Sequence, residues 1–508
     1  MKYEQVAAVD LGSNSFRLQV GRVVDGQVYP LDSVKETVRL ASGLQADKTL
    51  DQASIERALA ALSRFGERLR GFSPEGVRAV ATNTLRVAKN APSFLRQAEA
   101  VLGFPVEVIA GREEARLIFL GAAHSLPAAA HKRLVVDIGG GSTEFIIGKR
   151  FEPQLLESLY MGCVSFSNRF FPGGAIDKRS FREAEIEAAA EIEQIVGHYR
   201  AHGWKEAVGS SGSAAAISEL LEQNGFNPGG VAGITGAGLL RLKTQLIKAG
   251  SIDALTLAGL RADRAPVLPG GLAIMLAVFD RFGLERMTYA DGALRLGVLY
   301  DLIGRFHHED RREATIAEFQ RRYQVDIAQA DRVESLALAL YRQLRQEPGV
   351  EHEHDAQFLS WAGRLHELGI SVAHSAHHKH GAYILTYADM PGFSKTDQSR
   401  LALLVLGHRG KLDKVAVLAG IDANWHLLFC LRLAVLFHRS RSEYEVPRLQ
   451  IASTGNGFIL EVAAAWLKDN PLTAAAIDDE CAQWARVGIP LTLKESREPR
   501  ARIAARAG

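Results

Sequence analysis

A chain of 508 residues, 47% hydrophobic and 23% charged, has the balance of a soluble globular protein, with room for about three or four domains. A formal net charge of +2 gives no global field to gather a polyanion, so such a partner must be held by local clusters. Three widely spaced cysteines, Cys163, Cys430 and Cys481, point to neither a disulfide framework nor a CxxC metal site, and no uninterrupted apolar run approaches the roughly 20 residues of a membrane helix.

The opening MKYEQVAAVDLG runs straight into a strand without a signal-peptide pattern. The expectation is a cytoplasmic protein with no transmembrane segment, peripheral membrane association being left open. Val9 to Arg22 reads as strand, loop, strand, with Asp10, Gly12, Ser13, Asn14 and Ser15 in or beside the loop. A further strand follows, then a loop rich in Lys35, Arg39 and Ser42. Gln52 to Leu69 carries Ile55, Leu59, Leu62, Phe65 and Leu69 at helical spacing. A short buried strand, Val77 to Ala81, leads into Asn83, Thr84 and Arg86, at the strand exit where α/β sheets place ligand contacts. Pro105 to Ile109 is another strand. Gly111 then opens a helix with Glu113 and Glu114 in its first turn, where carboxylates favour the macrodipole.

Leu134 to Lys149, LVVDIGGGSTEFIIGK, is the central stretch: two apolar runs flank Asp137, Gly139, Gly140, Gly141 and Ser142. Glycines let backbone N–H groups converge on an anion, and hydroxyls add donors. Asp137 is well placed to hold a divalent cation that bridges phosphate oxygens. The plainer alternative is a hairpin whose glycines serve only the turn. Against it stands a second copy: without a gap, Asp10 falls on Asp137, Gly12 on Gly139, Ser15 on Ser142, Gly21 on Gly148 and Arg22 on Lys149. A repeat of this kind predicts two similar lobes facing one phosphate-binding cleft.

Beyond the glycine loop, MGCVSFSNRFFPGG places Arg169 and a glycine pair in a turn expected near the cleft. A long amphipathic helix spans about Phe181 to His202. Gly209, Ser210, Ser211 and Gly212 form a small-residue turn from strand into helix. Pro266 to Phe282 reads as a buried helix, and Tyr289 to Arg295 as a segment that connects the lobes.

DLGSNSFRL, AVATNTLRVAKN, GREEARLIFLG and DIGGGSTEF occur in the order that resembles the exopolyphosphatase and guanosine pentaphosphate phosphatase family, within the acetate kinase, sugar kinase, Hsp70 and actin superfamily. The resemblance covers residues 1–305 closely. It implies an α/β fold of two ribonuclease-H-like (actin-like) lobes, 1–124 and 125–304, then an α-helical HD-like domain, 305–445, and a small C-terminal α+β domain, 446–508. It also implies that Glu114 is the general base and Glu144 a second carboxylate near water or metal. Asp137 and Glu144 would hold Mg²⁺, with K⁺ stimulation an open addition. The loops 12–15 and 139–142, with Asn83, Thr84 and Arg86, would cradle phosphates, and the 209–212 turn would touch far phosphates or a guanosine moiety. The expected activity is processive hydrolysis of terminal phosphate from inorganic polyphosphate. Hydrolysis of guanosine pentaphosphate is the runner-up, ATP-dependent phosphate transfer a third reading. A homodimer and no nucleic-acid partner are expected.

From about residue 305 the pattern turns helical, and twelve of the 16 histidines lie beyond residue 300. WAGRLHELGISVAHSAHHKHGAYIL resembles a histidine–aspartate phosphohydrolase domain, yet Glu367 stands where that motif pairs His with Asp, and Val435 where it carries a distal Asp. The expectation is a degenerate domain that no longer catalyses, since too few ligands remain. The histidines 374–380, Lys379 and His408 are read instead as positive surface for polyphosphate, helped by an arginine-rich tail from Arg497. Val446 to Val462 alternates around Gly455–Gly457 as a hairpin.

Overall fold

The computed structural model describes residues 5–24, 26–127, 129–306, 311–344, 350–419, 425–441 and 446–496. The chain forms two compact units: residues 1–311 with 391–395, and residues 312–390 with 396–508. His307, His308 and the arginine tail lie outside the described residues.

The first unit holds two sheets built to one plan. In lobe I, β1 (Gln5–Leu11), β2 (Phe16–Val24), β3 (Gln27–Glu36), β4 (Val77–Ala81) and β5 (Val106–Val108) are ordered β3-β2-β1-β4-β5. In lobe II, β6 (Lys132–Ile138), β7 (Thr143–Lys149), β8 (Glu152–Leu159), β9 (Glu206–Ser210), β10 (Ile234–Thr235) and β11 (Arg286–Tyr289) are ordered β10-β11-β9-β6-β7-β8. Each sheet starts from an antiparallel meander and adds two parallel strands on the other side of its first strand, with β10 closing the lobe II edge antiparallel to β11. The repeat in the sequence is therefore a repeat in topology. Register carries it to single residues: Asp10 pairs across the hairpin with Arg17, and Asp137 with Glu144. The same position thus presents a cation in lobe I and a carboxylate in lobe II.

The predicted elements fall close to their observed bounds. The helix expected over 52–69 is Gln52–Arg68, capped by Asp51, whose side chain accepts from the Ser54 amide. The long helix of lobe II is Lys178–His202, with Asp177 as its cap. β8 went unpredicted, because Pro153, Gln154 and Glu157 break the apolar alternation that marks a strand; it is recruited by pairing with β7. Residues 265–282 are apolar and long enough to cross a membrane by length and composition. That stretch is 72% buried inside the protein and packs in the core of lobe II, with Leu272, Ile274, Met275 and Val278 closed to solvent.

Between the sheets, the helix Gly111–Ser125 packs on the helix Leu294–Phe306 at very short range. A Cβ on Gly297 would lie 1.8 Å from the Leu117 carbonyl oxygen, so only glycine permits this approach. Buried charges tie the same region: Arg78 of β4 donates to Asp301 at 2.7 Å, and Arg116 donates to both Glu113, at 2.8 Å, and Asp301. Glu114 is the next residue along from Glu113, so its helix turn is held from behind by this network.

The second unit is helical, with a sheet of β12 (Gln450–Ser453), β13 (Phe458–Ala463) and β14 (Leu491–Ser496). β12 and β13 form the expected hairpin. Arg432 is buried and joined to Glu480 and to the Gly407 and Gly410 carbonyls, beside stacked Phe429 and Phe458.

The histidine reading needs correction. His366 and His408 are fully buried, each with Nδ1 against a backbone carbonyl three residues back. Burial pushes His366 and His378 down to about 4 and His408 well below its ordinary value. These imidazoles are neutral at pH 7 and add no positive surface. Glu367 is engaged by Arg441 at 2.5 Å. Among the described residues, no three His, Cys, Asp or Glu side chains form a metal-binding set.

Candidate active site

The two glycine loops meet at a cleft of about 340 Å³ in the first unit. Gly139 N donates to Ser142 O at 2.9 Å, closing the lobe II turn, and the amides of Cys163 and Val164 donate to the Gly139 and Gly140 carbonyls. The carbonyls are thus held by the following helix, and with the Gly139 N–H spent on the turn, the amides after it are those a ligand would meet. A Cβ on Gly140 would lie 2.9 Å from the Ser13 Cβ and 3.2 Å from the Asn14 amide, so the lobe I loop faces this one directly. Thr84 Oγ1 donates to Ser13 Oγ at 2.8 Å, and the Asn83 amide lies against Gly141. Asn83 and Thr84 therefore brace the loops from the side.

Four carboxylates converge here. Asp137 accepts from Ser210 Oγ at 2.5 Å, and Glu144 accepts from Ser158 Oγ at 2.8 Å. Asp10 Oδ1 is shielded from solvent and, among the described residues, has no hydrogen-bond partner. Burial pushes Asp10 up to about 6 and Asp137 up to about 7. Glu144 is raised well above its ordinary value by burial, then by repulsion from Glu114 and Asp137. Glu114 lines the cleft, and its Oε2 accepts from Arg86 Nη1 at 2.6 Å. Arg86 also donates to the Ile109 carbonyl at 3.0 Å, so it stands behind Glu114.

Some expected contacts are elsewhere. Gly209 is strand backbone, accepting from the Ala290 amide and packed against the Met287 sulfur, and Ser210 serves Asp137. Only Ser211 and Gly212 of that turn line the cleft. Arg169 lies on the helix Cys163–Phe170, paired with Glu187 and 61% exposed, and is not part of the cleft wall.

The sequence reading missed the cations. Arg17, Lys35, Arg261, Arg264 and Arg295 line the cleft, from four separate places in the chain. Arg295 donates to Gln19 at 3.2 Å, and Arg264 lies over Gly212, where a Cβ would strike its guanidinium at 2.1 Å. Burial pushes Lys35, Arg264 and Arg295 below their ordinary values. Only the position of Arg17, seven residues after Asp10 as Glu144 follows Asp137, was readable in advance.

Carboxylates, cations and loop amides thus share one cleft, and these are the groups with which proteins hold phosphate oxygens and divalent cations. Residues 19–306 match the Ppx/GppA phosphatase family, and residues 311–481 match domain III of that family. The chain is 37% identical over 494 residues to a guanosine-5'-triphosphate,3'-diphosphate pyrophosphatase of Vibrio vulnificus, covering 97% of this chain and 98% of that protein. The crystal structure of an exopolyphosphatase from Cytophaga hutchinsonii superimposes with a TM-score of 0.54 at 24% identity, over 59% of this chain and 97% of the other. That likeness concerns the fold, two actin-like lobes.

Proposed function

The chain belongs to the Ppx/GppA phosphatase family, and from that premise we propose that it hydrolyses the terminal phosphoanhydride of inorganic polyphosphate. The observation that carries this is the cleft itself, where paired glycine loops and five cationic side chains face a carboxylate cluster. The loop amides bind and orient the terminal phosphates. Arg86 holds Glu114 Oε2, leaving Oε1 to take a proton from a water aligned with the scissile bond. Arg17, Arg264 and the loop amides neutralise charge that spreads over the phosphate oxygens.

The residues present fit Mg²⁺. Asp137 and Glu144 are cross-strand partners in the hairpin, and burial first, then repulsion from neighbouring carboxylates, raises both above their ordinary values. Mg²⁺ is held by one or two carboxylates with waters and substrate oxygens, so a preformed cage is not required. Bound there, it would supply charge neutralisation at the phosphate oxygens.

A second reading, hydrolysis of guanosine pentaphosphate, is favoured by the Vibrio vulnificus relative, whose likeness runs the whole length of this chain. Purified protein should release phosphate from both substrates, and the ratio of kcat/KM ranks them. No release from either, with no phosphate transfer to an acceptor, would sink the proposal.

A further inference from the structure

The cations of the cleft wall come with a resident anion. Lys35 of β3 reaches across to lobe II, where its Nζ lies 2.5 Å from Asp263 Oδ2. The same oxygen is 3.9 Å from Arg264 Nε, too far for a hydrogen bond. Arg264 is 7% exposed, and its Nε has no hydrogen-bond partner among the described residues. One carboxylate oxygen thus satisfies the first cation and falls short of the second.

We infer that Asp263 sets ligand specificity in the cleft by occupying the place of a distal substrate phosphate, which must displace it from Lys35. A phosphate carries several anionic oxygens, so it can accept from Lys35 and from the orphaned Arg264 nitrogen together, which Asp263 does not. A buried donor left unmade is costly, and satisfying it favours the phosphate over the carboxylate. A single phosphate in the glycine loops gains nothing from displacing Asp263. The residue therefore bears on chains long enough to reach Lys35 and not on a lone phosphate, so it tunes preference by chain length by weakening the longer ligand.

The inference rests on the functional reading above, and one experiment separates the two. The full chain carrying Glu114→Gln, which does not consume the probe, is titrated calorimetrically with inorganic tripolyphosphate and with orthophosphate. Adding Asp263→Asn should tighten tripolyphosphate roughly two- to fivefold, the scale of a half-exposed ion pair, and leave orthophosphate unchanged. The gain should vanish when Lys35→Met is added. An unchanged or weaker affinity for tripolyphosphate in a folded Asp263→Asn protein overturns the inference and makes Asp263 a brace between lobes. Absence of tripolyphosphate binding with Asp263 intact overturns the functional reading as well.

Discussion

The Arg86 guanidinium donates to Glu114 Oε2 at 2.6 Å, with both side chains nearly closed to solvent. The contact joins the exit of β4 to the first turn of the Gly111–Ser125 helix, so the carboxylate's direction is set from outside its own helix. Ser158 plays the matching part for Glu144, and Ser210 for Asp137. Each reactive carboxylate in the cleft except Asp10 thus has one oxygen fixed by a neighbour.

If Glu114 takes the proton and Arg86 only aims it, the two substitutions should differ in size. Glu114→Gln should lower kcat by roughly 10²–10⁴, the range for general-base loss. Arg86→Ala should lower it less, and the double variant should be no worse than Glu114→Gln, because both act through one group. Initial rates of phosphate release measure all three. Additive losses would give Arg86 an independent role on the substrate.

Cation dependence should follow pH. Asp137 is raised to about 7, so protons compete for it in the neutral range. The sign follows: as pH rises the carboxylate ionises, and the Mg²⁺ needed for half-maximal rate should fall between roughly pH 6 and 8. Asp137→Asn should raise the requirement about tenfold or more, since a neutral amide is a poor ligand for a hard cation, and flatten its dependence on pH. A requirement independent of pH in the unsubstituted protein would place the ion elsewhere.

Stability of the first unit should depend on Asp301. It accepts from both Arg78 and Arg116, and all three residues are buried. Asp301→Ala takes one acceptor from two buried guanidinium groups that keep Glu107 and Glu113, and should cost roughly 1–3 kcal/mol, read as a lower urea midpoint. A loss below about 1 kcal/mol would mean that the region rearranges to rehydrate them.

Acid should weaken the second unit. His366 is depressed to about 4 by burial, against about 6.5 in an unfolded chain. Its stabilising effect is complete above the unfolded value and is lost as pH falls through the folded one, so unfolding should ease between roughly pH 6.5 and 4. His366→Gln should reduce that slope, compared by urea midpoints across the interval. Equal slopes would assign the acid sensitivity to other groups, His408 and His378 first among them.

The chain's own order of residues determined the double phosphate loop. Asp10 and Asp137, with their glycine and serine followers, are local motifs whose strand–turn–strand form depends on neighbours a few residues away, and the repeat doubled the signal. Glu114 was singled out by the family resemblance, and the sequence itself marks only the helix start on which it sits. Tertiary structure alone decided the cationic wall: Lys35, the pair Arg261 and Arg264, and Arg295 lie in three unlike segments, so only the folded cleft brings them together. It also decided protonation. His366 and His408 look basic as letters, and burial, a property of packing over distant contacts, makes them neutral.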